Sequence, residues 1–453
     1  MSGISRAAKA AILVSALGYF VDIYDLLLFG IVRVPSLRTL GVPDSAMKEV
    51  GATLLNYQMF GMLLGGIFWG VLGDKKGRLS VLFGSIFLYS VANLANAFVD
   101  RTGSVETGLL AYQWLRLIAG IGLAGELGAG ITLVSELMPA DKRGYGTMIV
   151  AGFGILGAVV ATLIGDIFPW QTAYIIGGVM GLMLLIMRIG VYESGMYEQT
   201  AEANVKRGDF LYLFTSGERF MKYLRSILIG VPLWFAVGIL IIFSKEFGVA
   251  LGATFTVNPG YAIGFMYGGL SLGDFLTGYL SQRLGSRRMV VLVCQLINVA
   301  LITLYLLSRD FGPVYFYTLC VVLGLANGYW AVFVTIAAEQ FGTNLRATVA
   351  TTVPNFVRGS VPLLTTAFLY LDKEVFAHGA VNSAQGMVPA AFIVGGIALA
   401  LGVWAVLTMP ETHGKDLNYQ PALFRCRQVR PGRSTFVQSY GVPLNLRGRG
   451  LNL

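Results

Sequence analysis

Gly70-Val-Leu-Gly-Asp74-Lys75-Lys76-Gly77-Arg78 is a run in which a stretch of small and apolar residues meets a knot of charge. A related run returns later in the chain as Gly278-Tyr-Leu-Ser-Gln282-Arg283-Leu-Gly285-Ser286. A second echo lies at nearly the same offset: Glu136-Leu-Met-Pro-Ala-Asp-Lys-Arg143 and Glu339-Gln-Phe-Gly-Thr-Asn-Leu-Arg346. One such match arises easily by chance, whereas two at a consistent offset indicate an internal repeat. All four runs start at the end of a long apolar stretch and lead into the short polar break that follows it.

The apolar stretches number twelve: Ala11–Val32, Gly51–Leu72, Leu79–Phe98, Leu109–Leu137, Tyr145–Phe168, Thr172–Val191, Tyr223–Phe247, Tyr261–Leu284, Met289–Leu307, Val314–Phe341, Ala347–Leu371 and Val388–Leu407. Each is close to the roughly 20 apolar residues that cross a hydrocarbon core as a helix. Barrel strands would be shorter and would alternate apolar with polar residues. The 453 residues are 55% hydrophobic and only 13% charged, with mean hydropathy +0.69. The expected fold is an all-α membrane protein with twelve transmembrane helices in two pseudo-symmetric six-helix bundles. Residues 1–192 form the first bundle, 193–222 a polar central loop, 223–408 the second bundle and 409–453 a tail without apolar periodicity, expected to be disordered.

The net charge of +9 does not point to nucleic acid, because its placement is topological. Of the 33 Lys and Arg residues, Arg33, Arg38, Lys48, Arg101, Lys245, Arg309 and Lys373 fall on one set of loops, and Arg116 and Arg358 within spans. The rest fall on the other set or at the span ends that adjoin it, Arg188, Arg225 and Arg283 among the latter, and that set is therefore cytoplasmic together with both termini. Arg6 and Lys9 precede a first span with no small-residue cleavage site, so that span reads as retained. Cys294, Cys320 and Cys426 offer neither a disulfide framework nor metal-ligand spacing. No phosphate-cradling Gly-rich Lys motif or nucleophile triad is present, and His378 and His413 lie outside the spans, so no enzyme and no cofactor is expected.

Seven of the charged residues inside the proposed spans are weighed as buried in the membrane: Asp22, Asp25, Arg116, Glu126, Asp166, Asp274 and Arg358. A charge at the bilayer centre costs ~2.5–3.5 kcal/mol on insertion scales, so each requires a partner, a wet cavity or a task. Asp166 is near a span end, where snorkelling accounts for it. Asp22 and Asp25 share one helix face about 20 Å in, which suits proton carriage, although a structural pair with Arg116 is the plainer alternative. Glu126 stands among glycines that let helices approach closely. Arg116 lies about 15 Å from it on the same helix, so each must look to another span, with Asp22 or Asp25 as candidate partner. Arg358 is the one deep cation of the second half, and its planar fork suits a carboxylate or phosphate; pairing with Asp274 or a carbonyl is the alternative. Tyr24, Tyr57, Gln58, Trp234, Asn327, Tyr329, Trp330 and Asn355 are further candidates to line a cavity, although aromatic residues in spans more often face lipid. Asp74 can cap a neighbouring helix or pair with a basic residue such as Arg143 in one conformation only, and Gln282 makes the equivalent latch weaker.

Several of these motifs resemble those of the major facilitator superfamily. Gly70-x-Leu-x-Asp74-x-x-Gly77-Arg78 is similar to its second-to-third loop signature, Arg116-x-x-x-Gly120-x-Gly122 to its fourth-helix motif, and Pro410-Glu-Thr-x-Gly414-x-x-Leu417 to the sugar-porter ending. Gly18-x-x-x-Asp22-x-Tyr24-Asp25, and Gly125-Glu126 followed by Glu136-x-x-Pro139 and Arg143, resemble the metabolite:proton symporters, with organic-ion transporters as relatives. Asp22 stands where Glu is commoner, and Ala124 where the first Gly of a pair is usual. The resemblance implies a transporter in the cell inner membrane, probing both sides by rocking of the two bundles, whose partners are lipid and a small molecule. It implies a monomer coupled to H⁺ and moving a small organic acid or zwitterion. Arg116 and Arg358 join the cavity residues as substrate-binding candidates; Asp22, Asp25 and Glu126 are the proton-coupling ones. Gly70, Asp74, Gly77, Arg78, Glu136, Arg143, Gln282, Gly285, Glu339 and Arg346 are gating candidates. A sugar or polyol porter and a non-translocating sensor are the other readings.

Overall fold

Helix starts and stops follow local chemistry. Ser104 accepts the Thr107 N–H at 3.2 Å, Ser286 the Met289 N–H at 3.2 Å and Asn258 the Gly260 N–H at 2.8 Å, each opening a helix with a side-chain cap. Pro259 and Pro313 occupy first-turn positions, where no backbone donor is needed. Gly77 (φ +95°) and Gly285 (φ +61°) end their helices in backbone conformations that a side chain would strain. They are repeat equivalents.

The computed structural model describes residues 6–138, 143–188, 210–342, 345–376 and 386–413. Most of the central loop and almost all of the tail therefore lie outside the described residues, as do the side chains of three gating candidates, Arg78, Glu136 and Arg143. Helices occupy all twelve expected spans. The first three are Arg6–Thr39, Met47–Lys76 and Arg78–Asn96. The fourth is Val105–Leu123 continued by Glu126–Leu137, the fifth Arg143–Ile155 continued by Gly157–Ile167, and the sixth Trp170–Met187. The seventh runs Gly217–Phe235 through a π-helical turn, Ala236–Ile241, into Ser244–Ala250. The eighth is Pro259–Leu284 and the ninth Arg287–Leu307. The tenth is Pro313–Asn327 continued by Trp330–Glu339, the eleventh Arg346–Gly359 continued by Val361–Tyr370, and the twelfth Met387–Thr408.

Among the described residues, nine of these helical stretches are long and apolar enough to cross a membrane, and Ser80–Asn96 is a shorter apolar helix. The eighth and eleventh spans fall below that measure because they bury polar residues. The eighth buries Ser271, Asp274, Thr277 and Ser281, and the eleventh Thr348, Thr351, Thr352, Asn355 and Arg358.

The two halves repeat one packing device. A Cβ on Gly61 or Gly65 would strike the backbone of the fourth span at Leu117 or Ile121, and one on Gly120 would strike Gln58. One repeat later, Gly269, Gly273 and Gly324 hold the eighth and tenth spans together against Val321, Leu325 and Met266 in the same way. Backbones this close gain dispersion contacts without any apolar driving force from lipid. The halves then meet where the second and fourth spans face the eleventh, the first faces the eighth, and the fifth faces the eighth and tenth.

Candidate functional site

The first span presents Ser15, Gly18, Asp22 and Asp25 at three- and four-residue spacing, hence along one face, and the three side chains are buried. Asp25 lies against Gly177 of the sixth span, which has no side chain to displace it, and faces Asn93 and Arg116 without a hydrogen bond of ordinary geometry. Arg116 donates to Gln58 Oε1 and stacks over the Phe29 ring at 4.9 Å, while Gln58 Nε2 donates to the Leu26 carbonyl at 3.2 Å. Tyr24 donates to the Ala173 carbonyl at 2.9 Å, and the Tyr112 and Tyr174 hydroxyls meet at 2.7 Å. Asp22 makes no hydrogen bond; the charges acting on it are Arg358, Glu126, Asp25 and Arg188.

Glu126 pairs with neither Asp22 nor Asp25. Its partner is Arg188, at the end of the sixth span, in an ion pair with both side chains fully buried. Two like charges could not have satisfied each other, and the needed cation was within the sixth span, three residues short of its expected end. Arg188 is the functional candidate that charge counting missed, because it read there as a loop residue. Tyr19, one turn before Asp22, was missed as well, although its position on the acidic face was visible.

Arg358 is 1% exposed and donates to Asn355 Oδ1 at 3.3 Å. Asn355 Nδ2 in turn donates to the carbonyls of Ala124 and Thr351, both at 2.7 Å. The guanidinium is thereby tied to the break in the fourth span, between Leu123 and Glu126. It sits 5.8 Å from the Trp234 ring centre and 5.5 Å from that of Trp330. Tyr19 and Tyr267 also line a small cavity of about 10 Å³ there, the room of roughly one water. Arg358 Nε and Nη2 and both indole N–H groups are buried with no acceptor. Buried donors without acceptors are costly. Four such donors belong to the three residues Arg358, Trp234 and Trp330 that line this cavity.

Asp274 does not pair with Arg358. Its Oδ1 accepts the Ala331 N–H at 3.1 Å and caps Trp330–Glu339, the second part of the broken tenth span. This break, between Asn327 and Trp330, is the repeat equivalent of that in the fourth span. Interrupted helices in corresponding positions of two repeats mark the binding region of many transporters. Asn327 donates to Asn298 Oδ1 at 2.8 Å and Tyr329 to the Ile229 carbonyl at 3.2 Å, contacts within the second half. Tyr57 packs edge-on against Trp114, which is half exposed, so it belongs to the outer surface rather than the cavity.

The two ends of the bundle are held differently. At one end Asp74 Oδ2 accepts the Thr348 N–H at 2.8 Å and its hydroxyl at 2.6 Å, so it caps the eleventh span of the opposite half. The Thr348 hydroxyl oxygen also lies 3.3 Å from the Gly70 carbonyl, and a Cβ on Gly70 would crowd Thr348. One repeat on, the Gln282 side chain lies against Gly144 at the start of the fifth span. Arg287 pairs with Glu339 at 2.8 Å, and Arg346 is buried nearby in sequence to Thr348. Glu411 accepts the Ser286 hydroxyl at 2.6 Å and the Arg287 and Arg288 N–H groups at 3.1 and 3.2 Å. Partial burial pushes its carboxyl up, but these bonds and those from His413 and Thr412 outweigh it and hold the pKa at about 2. At the other end the halves are joined by ion pairs: Arg33 with Glu246 at 2.9 Å, Lys48 with Asp372 at 2.7 Å, and Lys373 with Glu49. Arg33, expected in a loop, is fully buried beneath Phe243. A cleft of about 370 Å³, with Asp166, Lys245 and Tyr261 on its walls, opens beside these pairs.

The family model of the Major Facilitator Superfamily matches residues 15–366. The chain belongs to the major facilitator superfamily. Its fold matches that of the proton:xylose symporter XylE with a TM-score of 0.69, at 16% identity over 91% of this chain and 98% of that one. The gentisate transporter of Corynebacterium glutamicum is 24% identical over 76% of this chain and 77% of its own. The niacin transporter NiaP of Acinetobacter baylyi is 34% identical over 41% of this chain and 40% of its own. This major facilitator protein is thus a multi-pass membrane transporter of a small molecule, not an enzyme. Its twelve helices form the two pseudo-symmetric six-helix bundles of that fold.

Proposed function

We propose that the protein is a proton-coupled symporter of a small organic acid or zwitterion in the cell inner membrane, with both termini cytoplasmic, working as a monomer. The observation that carries the reading is Arg358, whose Nε and Nη2 are buried without acceptors between Trp234 and Trp330. A carboxylate would meet the two free N–H groups as a bidentate partner, and a flat unsaturated skeleton would lie against the indoles. The names of relatives that move niacin and gentisate support this class of substrate.

Asp22 and Asp25 lie in the opposite half with no hydrogen bonds. Protonating one removes a buried negative charge and leaves Arg358 free to take the substrate carboxylate. Binding of proton and anion therefore favour one another. With the positive-inside charge pattern, the Asp74 end faces the cytoplasm and the Arg33 end faces outward. Breaking the ion pairs at the Arg33 end admits both ligands; breaking the Asp74 cap releases them inside. Such rocking of one bundle against the other moves the site's access, not the site.

The test is counterflow in proteoliposomes with radiolabelled carboxylates, amino acids and sugars, with and without an inward proton gradient. Carboxylates that exchange, and that accumulate only with the gradient, are the expected result. Exchange of a sugar with no carboxylate active would replace this reading with a sugar or polyol porter. Saturable binding without exchange of any compound would make the protein a sensor.

A further inference from the structure

The buried pair of Arg188 and Glu126 is incompletely satisfied. Glu126 Oε2 and Arg188 Nε and Nη1 are buried without hydrogen bonds, so only one of several bonds available to the two groups is made. Structural ion pairs survive burial when their remaining lone pairs and protons are matched. Here they are not.

The pair also has a close neighbour of its own kind. A Cβ on Gly18 would strike both Arg188 Nη2 and Glu126 Oε1, so the backbone of the first span rests directly on the pair. Asp22 is one helical turn further along, with both carboxylate oxygens unbonded, and both Glu126 and Arg188 act on its charge. The other titratable or charged groups around it are Tyr19 and Asp25 on its own span, Tyr89 on the third and Arg358 on the eleventh. Among these, Arg358 is the guanidinium reserved above for substrate. Arg188 is then the cation available to Asp22 once the substrate holds Arg358. It caps the sixth span at the Asp74 end of the bundle.

We propose that Arg188 is a shared counter-ion that exchanges Glu126 for Asp22, making Glu126 the exit station of the proton path. The proton balance is closed. The Asp22 carboxyl gives its proton to the Glu126 carboxylate; Arg188 leaves Glu126 and pairs with the new Asp22 carboxylate. One proton moves toward the Asp74 end and one cation stays paired throughout. Arg188 is a positioning residue: it touches no substrate. Gly18 is required because any side chain there would separate the two stations. This inference rests on the proton-coupled reading.

Infrared difference spectra of the purified full chain between acidic and alkaline buffer read protonated carboxyl groups and need no substrate. The wild type should show a carboxyl band that Glu126→Gln removes. Asp22→Asn, which leaves the pair itself intact, should also remove or strongly weaken that band, because Arg188 then has no reason to leave Glu126. Arg188→Lys should keep the band at a displaced titration midpoint. Absence of a Glu126 band in the wild type, or a Glu126 band indifferent to Asp22→Asn, overturns the exchange and leaves a purely structural pair. Gradient-driven accumulation in liposomes separates the two levels. A wild type that accumulates substrate but lacks the Asp22-dependent band refutes only the relay, whereas a wild type with the band and no accumulation refutes the symport reading.

Discussion

Replacing Asp74 with Asn keeps the shape of the side chain and one acceptor oxygen but removes its charge. In the folded protein Asp74 accepts two bonds from Thr348, at 2.8 and 2.6 Å, at the start of the Arg346–Gly359 helix. Hydrogen bonds to a charged group contribute ~1.5–3 kcal/mol each, about twice a neutral bond. Losing half of both removes about 2 kcal/mol, and the weakened interaction with the helix terminus adds ~0.5 kcal/mol. A change of roughly 2.5 kcal/mol shifts the balance between closed and open forms at this end about 60-fold. Spin labels at Lys76→Cys and Arg283→Cys, exposed positions on opposite halves at this end, report the balance as a distance distribution. The expected result is a new longer-distance population in Asp74→Asn, with turnover reduced more than substrate affinity. An unaltered distribution, or lost affinity with normal turnover, would refute the role of Asp74 as a conformational latch.

Asp25→Asn should lose accumulation driven by a proton gradient while exchange persists, and Gly177→Ala, whose Cβ would take the place of the Asp25 carboxylate, should do the same. Full accumulation by both Asp22→Asn and Asp25→Asn would remove these acids from the proton path. For Glu411, a folded pKa of about 2 against an ordinary value near 4.5 means stabilisation that is complete above pH 4.5 and lost as pH falls toward 2. Thermal unfolding in detergent should therefore show wild type losing its advantage over Glu411→Gln across that window; a constant difference would refute the cap. Reporter fusions after Asn204 and Leu417 should be active only with a cytoplasmic reporter, and activity of a periplasmic one at either site would invert the topology.

How much of this was legible in the sequence varies with the physics involved. Length and apolarity alone set the twelve spans, and the Asp74 and Gln282 loops revealed the repeat. The breaks after Leu123 and Asn327 were invisible, because Gly125 and Gly328 read equally well as close-packing glycines inside a continuous helix. The partner of Glu126 was missed because Arg188, three residues from the expected end of its span, looked like a loop charge. Arg33 misled for the same reason, since a cation near a span end can snorkel or turn inward and only tertiary packing decides. Asp74 left a helix terminus and a basic residue open, and the choice of Thr348 depends on how the second and eleventh spans cross. Tyr57 shows the opposite failure: helix periodicity does not say which face meets lipid when every face is apolar.

The most direct test of the account is substrate affinity of wild type, Arg358→Lys and Arg358→Ala, measured on well-folded protein with a carboxylate that counterflow selects. Lys keeps the charge but loses the planar fork, and it cannot satisfy a carboxylate at two points. Breaking a desolvated charged contact costs ~2–5 kcal/mol, which is at least a roughly 30-fold loss of affinity. The expected result is such a loss in Arg358→Lys and no measurable binding in Arg358→Ala. Wild-type affinity in a well-folded Arg358→Ala protein would contradict it.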